Sequence, residues 1–145
     1  PALFAEPARR PSGANPSSMS SYCAYKKQDR RDTIQIGPLN HVGVAVPSIT
    51  EAIETYRSLY GATDITEPFD MPAQGVKVCF VNLPNSQIEL IEPLNEDSPI
   101  HNFILKNPRG GQHHVCFEVE DINIAVSEMK TRGATVLGEP LIGAH

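Results

Sequence analysis

Cysteine is scarce in this chain and carries no pattern. Cys23, Cys79 and Cys116 are odd in number and have no CxxC spacing, which argues against a disulfide framework or a zinc ribbon and for a reducing compartment. No apolar run approaches the length needed to span a bilayer. Basic residues are few beyond Ile36: six Lys or Arg stand against fourteen Asp or Glu, a charge of −8, whereas the segment up to Ile36 has six against three. A folded part this acidic excludes nucleic acid and anionic membrane as expected partners. The 145 residues, 40% hydrophobic, suffice for one domain with a core and leave no room for a second.

The ends differ in character from the body. The chain starts at Pro1 and stops at Gly143-Ala144-His145 with nothing that reads as a terminal helix or turn, so a fragment is expected. Residues 1–35 hold Arg9, Arg10, Lys26, Lys27, Arg30 and Arg31, a Ser/Pro-rich stretch over 11–21 and few acids. That is the composition of a mitochondrial transit peptide, the alternative being a disordered tail with no address.

What is present is a repeat. With LNHVGVAVPSITEAI from Leu39 set over QHHVCFEVEDINIAV from Gln112, His41 falls on His114, Val42 on Val115, Val46 on Val119, Ile49 on Ile122 and Ala52 on Ala125. After one deletion, Gly61-Ala62-Thr63 falls on Gly133-Ala134-Thr135. Two equivalent histidines on equivalent strands of a duplicated fold point to a site shared between the halves, where a metal can sit on the pseudo-twofold axis.

Each copy has a readable plan. Val42, Val44 and Val46 alternate with His41, Gly43 and Ala45, which predicts a strand over 39–46. Ser48 and Glu51 form a capping box ahead of an apolar stripe through Ala52, Ile53, Tyr56, Leu59 and Tyr60, and Gly61 supplies the stop. Further strands are predicted over 63–67, 76–83 and 87–92, the last two joined by a Pro84-Asn85-Ser86 turn. Ser98 and Pro99 open a linker helix over 98–107. The second copy repeats the plan with a strand over 113–119, a helix capped by Asp121 and a strand over 134–137, and lacks its third and fourth strands. The expected fold is α+β, built of paired βαβββ modules: a first over 37–95 and an incomplete second over 112–145, together a domain over 37–145.

Strand parity selects the chemistry. His41 points away from the valine face, His114 does so in the second copy with Cys116 and Glu118, and Gln87 and Glu89 do so opposite Ile88 and Leu90. His113 is expected on the helix side and not as a ligand. His41, His114 and Glu89 thus project into one cup, a donor set suited to a divalent first-row metal with open positions. A lone strand histidine would ordinarily be a hydrogen-bonded structural residue, and Glu89 could instead bond a ligand rather than bind the ion. Cys116 reads as a small buried filler and Glu118 as a solvated strand end.

LNHVGVAV with its helix, the VNLPNSQIELIEPL hairpin, DSPIHNFILKN, GGQHHVCFEVEDI and the terminal IGAH resemble the methylmalonyl-CoA epimerase family of the vicinal oxygen chelate superfamily, from Leu39 to the last residue. The resemblance implies an open cup around a divalent, cobalt-like ion, held by His41, His114 and Glu89. It implies a small acyl-CoA substrate, a homodimer and, with the leader, the mitochondrial matrix. It also implies inversion at the carbon between a thioester and a carboxylate: one base removes the proton, the ion stabilises the enolate, and an acid on the other face returns the proton, without redox chemistry. The family's C-terminal glutamate, a ligand and base, would fall beyond His145, so this chain is expected to be inactive and its catalytic residues stay unassigned. The position of the opposing base in some bacterial members is Val78, and Gln74 and Glu92 are merely nearby polar side chains. Rival readings are a lactoylglutathione lyase-type isomerase, a ring-cleaving dioxygenase and a metal-free small-molecule-binding protein of the same fold.

Overall fold

Residues 34–140 are described by a computed structural model. The leader reading over 1–35 therefore falls almost wholly outside the described residues, as does the IGAH segment.

The alternating residues form strand β1 (Leu39–Ala45), and helix α1 (Ile49–Tyr60) follows. Ser48 Oγ accepts from the Glu51 amide, so half of the capping box forms. The Ile49 amide, another first-turn donor without a helical partner, goes to Glu92 Oε2 at 2.6 Å. Gly61 ends the helix with φ 67°, and its amide donates to the Tyr56 carbonyl, a left-handed cap that glycine adopts without a Cβ clash.

Strand β2 is Phe69–Met71, and it is followed by a 3-10 turn at Pro72–Gln74. The sequence placed this strand over 63–67. That segment makes one isolated bridge, Ile65 to Val81, and Thr66 spends its side chain on the Phe80 amide and near Cys79. The segment lies along residues 80–82 of β3, with the Thr66 amide donating to the Phe80 carbonyl and the Asn82 amide to the Asp64 carbonyl. The Thr66 hydroxyl accepts from the Phe80 amide, however, and the ladder stops there; β2 pairs further along the same edge through Phe69–Val78 and Met71–Val76. Strands β3 (Val76–Asn82) and β4 (Gln87–Pro93) form the predicted hairpin.

The linker helix α2 (His101–Lys106) starts later than expected. Ser98 does not cap it by its side chain: its Oγ is buried without a hydrogen-bond partner among the described residues, and its carbonyl accepts from the His101 amide. Strand β5 (Gly111–Phe117) precedes α3 (Ile122–Thr131), where Asp121 Oδ1 accepts from the amides of Asn123 and Ile124. The strand expected over 134–137 does not form. A strand is held by a neighbour's ladder, and no described segment pairs with this one.

The five strands make one mixed sheet in the order β2-β3-β4-β1-β5, with β1 parallel to β4 and antiparallel to β5. One face buries Val46, Ile49, Ile53, Cys79, Val81 and Leu90 beneath α1; the other carries Ala45, Val76, Val78, Phe80 and Ile91, with Ile100 and Phe103 of the linker against it. Fully buried side chains such as Ile49 and Leu90 each contribute about 1.5–3 kcal/mol through burial. The second face is the one from which His41 and Glu89 project.

Candidate metal centre

The register of β1 on β5 places the two histidines. His41 lies opposite Cys116, Val42 opposite Val115 and Gly43 opposite His114. These pairs exchange under the repeat, so the pseudo-twofold passes through the Val42–Val115 pair and both histidines fall on one face of the sheet. Glu89 enters the same face from β4, where it pairs with Gly43 on one side and Phe80 on the other.

The three side chains meet. His41 Nε2 is 3.1 Å from His114 Nε2, Glu89 Oε2 is 3.4 Å from His41 Nε2 and 3.2 Å from His114 Nε2. Among the described residues this is the one cluster of three His, Cys, Asp or Glu donors able to hold a metal ion. Ligands bound at about 2.1 Å to one ion stand about 3.0 Å apart at right angles and about 3.4 Å apart at the tetrahedral angle, so all three edges fit a single divalent ion.

The polar surroundings support that fit. His41 Nδ1 is 2.8 Å from Asn40 Oδ1, and Asn40 Nδ2 donates to Glu118 Oε1 at 3.2 Å. Because the amide oxygen can only accept, His41 Nδ1 donates to it, and a neutral His41 then presents the Nε2 lone pair to an ion. With neutral imidazoles, lone pairs and a carboxylate would converge on one point, an arrangement relieved by positive charge there, whether a metal ion or protons on the imidazoles. Burial would raise the Glu89 carboxyl, but His114 and His41 outweigh it and hold the group down at about 2, so it stays ionised at neutral pH. Burial, then the adjacent His114, holds His113 below the usual imidazole range. Burial chiefly pushes the Cys116 thiol up, keeping it neutral, as a filler would be.

Gly43 makes the cluster possible. A Cβ there would lie 2.1 Å from His114 Cε1 and 2.3 Å from its Nδ1. The His114 ring lies across the bare backbone of Gly43, and any side chain would displace it.

The placement departs from the sequence reading in three ways. His113 does not face the helix side: its Nδ1 is 3.1 Å from His114 Nδ1 and its ring stands edge-on to Phe103 at 5.1 Å. The strand parity fails because β5 is irregular at that point, with His114 opposite Gly43 but Gln112 opposite Val44. Glu118 is exposed at the strand end, yet it reaches Asn40. Glu92 is on the α1 face as an amide acceptor, away from the cluster, while Val78 is buried in the apolar core of the cup side. Asn40 and Gly43 were missed as contributors; the repeat held the signal for Asn40, which aligns with His113.

A family model described as the Glyoxalase/Bleomycin resistance protein/Dioxygenase superfamily matches residues 40–145, in keeping with this mixed sheet and its two-histidine, one-carboxylate cluster. The ethylmalonyl-CoA/methylmalonyl-CoA epimerase of Cereibacter sphaeroides is 54% identical over 112 residues, 76% of this chain and 83% of that protein. The mitochondrial methylmalonyl-CoA epimerase of Bos taurus is 49% identical over 111 residues, 76% of this chain and 63% of that protein. A solved structure of a Streptomyces coelicolor methylmalonyl-CoA epimerase variant with 2-nitronate-propionyl-CoA superposes with a TM-score of 0.70 at 26% identity, covering 76% of this chain and 82% of that one. The chain belongs to the methylmalonyl-CoA epimerase family of that superfamily.

Proposed function

We propose that the protein carrying this domain interconverts the two configurations of methylmalonyl-CoA at C2, with a divalent ion, cobalt foremost, held by His41, His114 and Glu89. The observation that carries the reading is the triangle of donor atoms with edges of 3.1–3.4 Å in a chain about half identical to named epimerases. A divalent ion there supplies Lewis acidity, which lowers the cost of negative charge developing on substrate oxygens when the C2 proton leaves.

The chain's own residues do the rest by geometry. Glu89, ionised at neutral pH, contributes negative charge that attracts a cation to the two imidazoles. Gly43 leaves room for the His114 ring, and Phe80, with His41 edge-on at 6.4 Å, walls one side of the cluster. Val78 and Ile91 present an apolar floor beside the cluster, which strengthens charge–dipole interactions there by excluding water. No proton-transfer role is assigned to any described residue. The named mitochondrial relatives and the basic, Ser/Pro-rich leader support a mitochondrial matrix location, and a homodimer completes the reading.

The test is incorporation of solvent deuterium at C2 of methylmalonyl-CoA at saturating cobalt. It is measured on the 145 residues and on the same domain continued by the family's last two strands. Exchange that His41→Ala and His114→Ala abolish is expected. Exchange in neither protein, or exchange indifferent to both substitutions, overturns the reading. Oxygen uptake with catechols would replace it with a dioxygenase.

A further inference from the structure

The strand β1–β5 ladder is broken twice, at related places. Leu39 pairs with Phe117 and His41 with Cys116, so Asn40 is an extra residue in β1; Gly43 pairs with His114 and Val44 with Gln112, so His113 is an extra residue in β5. Asn40 and His113 align in the repeat. The two bulges are therefore one feature, present twice across the pseudo-twofold.

A bulge takes its residue out of the alternation and turns its side chain and carbonyl to new partners. At Asn40 the carbonyl accepts from Ser86 Oγ at 3.0 Å, and the side chain meets His41 Nδ1 at 2.8 Å. At His113 the side chain meets His114 Nδ1 at 3.1 Å. In a regular strand, residues i and i+1 point to opposite faces and neither contact could form. Each bulge residue thus reaches the far nitrogen of the histidine that follows it.

We infer that Asn40 and His113 are a matched pair of positioning residues, each accepting the Nδ1 proton of the following histidine so that its Nε2 is aimed, with its lone pair, at the metal. The inference rests on the metal reading above and extends it to residues outside the ligand set. Ligation through Nε2 requires the proton on Nδ1, so His114 donates and His113 accepts, as His41 donates and Asn40 accepts. Each acceptor is in turn held: Asn40 by Glu118 at 3.2 Å, and His113 by the edge of Phe103 in the linker helix at 5.1 Å. The linker helix thereby gains a role in the site, as a buttress for the second histidine. The two arms use different acceptors, an amide and an imidazole, at equivalent positions.

That difference supplies the test, by reciprocal exchange. Cobalt affinity of the full chain is measured by competition with a chromophoric chelator for the unsubstituted protein, Asn40→Ala, His113→Ala, Asn40→His, His113→Asn and His41→Ala, with metal-free melting temperatures alongside. Each alanine variant is expected to bind cobalt at least about tenfold more weakly, and each exchanged variant to recover to within about threefold, since a hydrogen-bond acceptor has been restored. Alanine variants that bind within about twofold of the unsubstituted protein, while His41→Ala does not, overturn the positioning role and leave the metal reading standing. Alanine losses that neither exchange repairs also overturn it, because they would track the bulge fold and not the acceptor. Failure of the unsubstituted protein to bind cobalt any better than His41→Ala sinks the metal reading, and this inference with it.

Discussion

Replacing Gly43 by alanine separates metal binding from folding more cleanly than any ligand substitution. The added Cβ would lie 2.1 Å from His114 Cε1, 2.3 Å from Nδ1 and 2.6 Å from Nε2. Returning Cε1 to an ordinary carbon–carbon separation of about 3.5 Å requires the ring to retreat by about 1.4 Å. Metal–ligand bond lengths are held to within about 0.2 Å, so His114 Nε2 leaves the triangle. Affinity for cobalt should fall at least about tenfold, towards the value for His114→Ala. Stability should move differently. Gly43 is absent from the glycines with positive φ, so alanine suits its backbone, and the reduced freedom of the unfolded chain contributes about 0.4–1 kcal/mol in favour of the fold. That offsets part of the cost of moving the ring, and the metal-free melting temperature should change by only a few degrees. The assay is chelator competition for affinity beside calorimetry of the metal-free protein. A Gly43→Ala protein that binds cobalt within about twofold of the original would show that the ring does not depend on the bare backbone.

Glu89 has a lower carboxyl pKa folded, about 2, than unfolded. Its contribution to metal-free stability is therefore complete above the ordinary carboxylate pKa of about 4.5 and lost as pH falls towards 2; Glu89→Gln should flatten that limb of the melting temperature against pH, and an unchanged limb would refute it. Asp121→Ala removes an acceptor that serves two amides of α3 and should cost about 1 kcal/mol in denaturant unfolding, with no change in cobalt affinity. Gly110→Ala combines φ 76° with a Cβ 2.4 Å from the Ala45 carbonyl oxygen and should destabilise by more than the roughly 1 kcal/mol of an ordinary glycine exchange, read as a lower melting temperature or loss of soluble protein.

The chain by itself determined the duplication, the pairing of His41 with His114 and the side of the strand on which Glu89 lies, because each is a matter of local period or of likeness between two stretches. The same holds for the Ser48 and Asp121 caps and the Gly61 stop, which are decided within one helical turn. Tertiary structure decided the rest. The edge strand fell at 69–71 and not 63–67 because the Thr66 hydroxyl captures the Phe80 amide and cuts the earlier segment's ladder on β3 to a single bridge, and the 134–137 segment found no ladder to join. Ser98 lost its capping role because the helix begins only at His101, leaving its hydroxyl buried two residues ahead of the N-cap position. Above all, the bulges at Asn40 and His113 are a mismatch of register between strands some seventy residues apart in the chain. No periodicity within either strand records such a mismatch, and it is what turns His113 from the helix side towards His114.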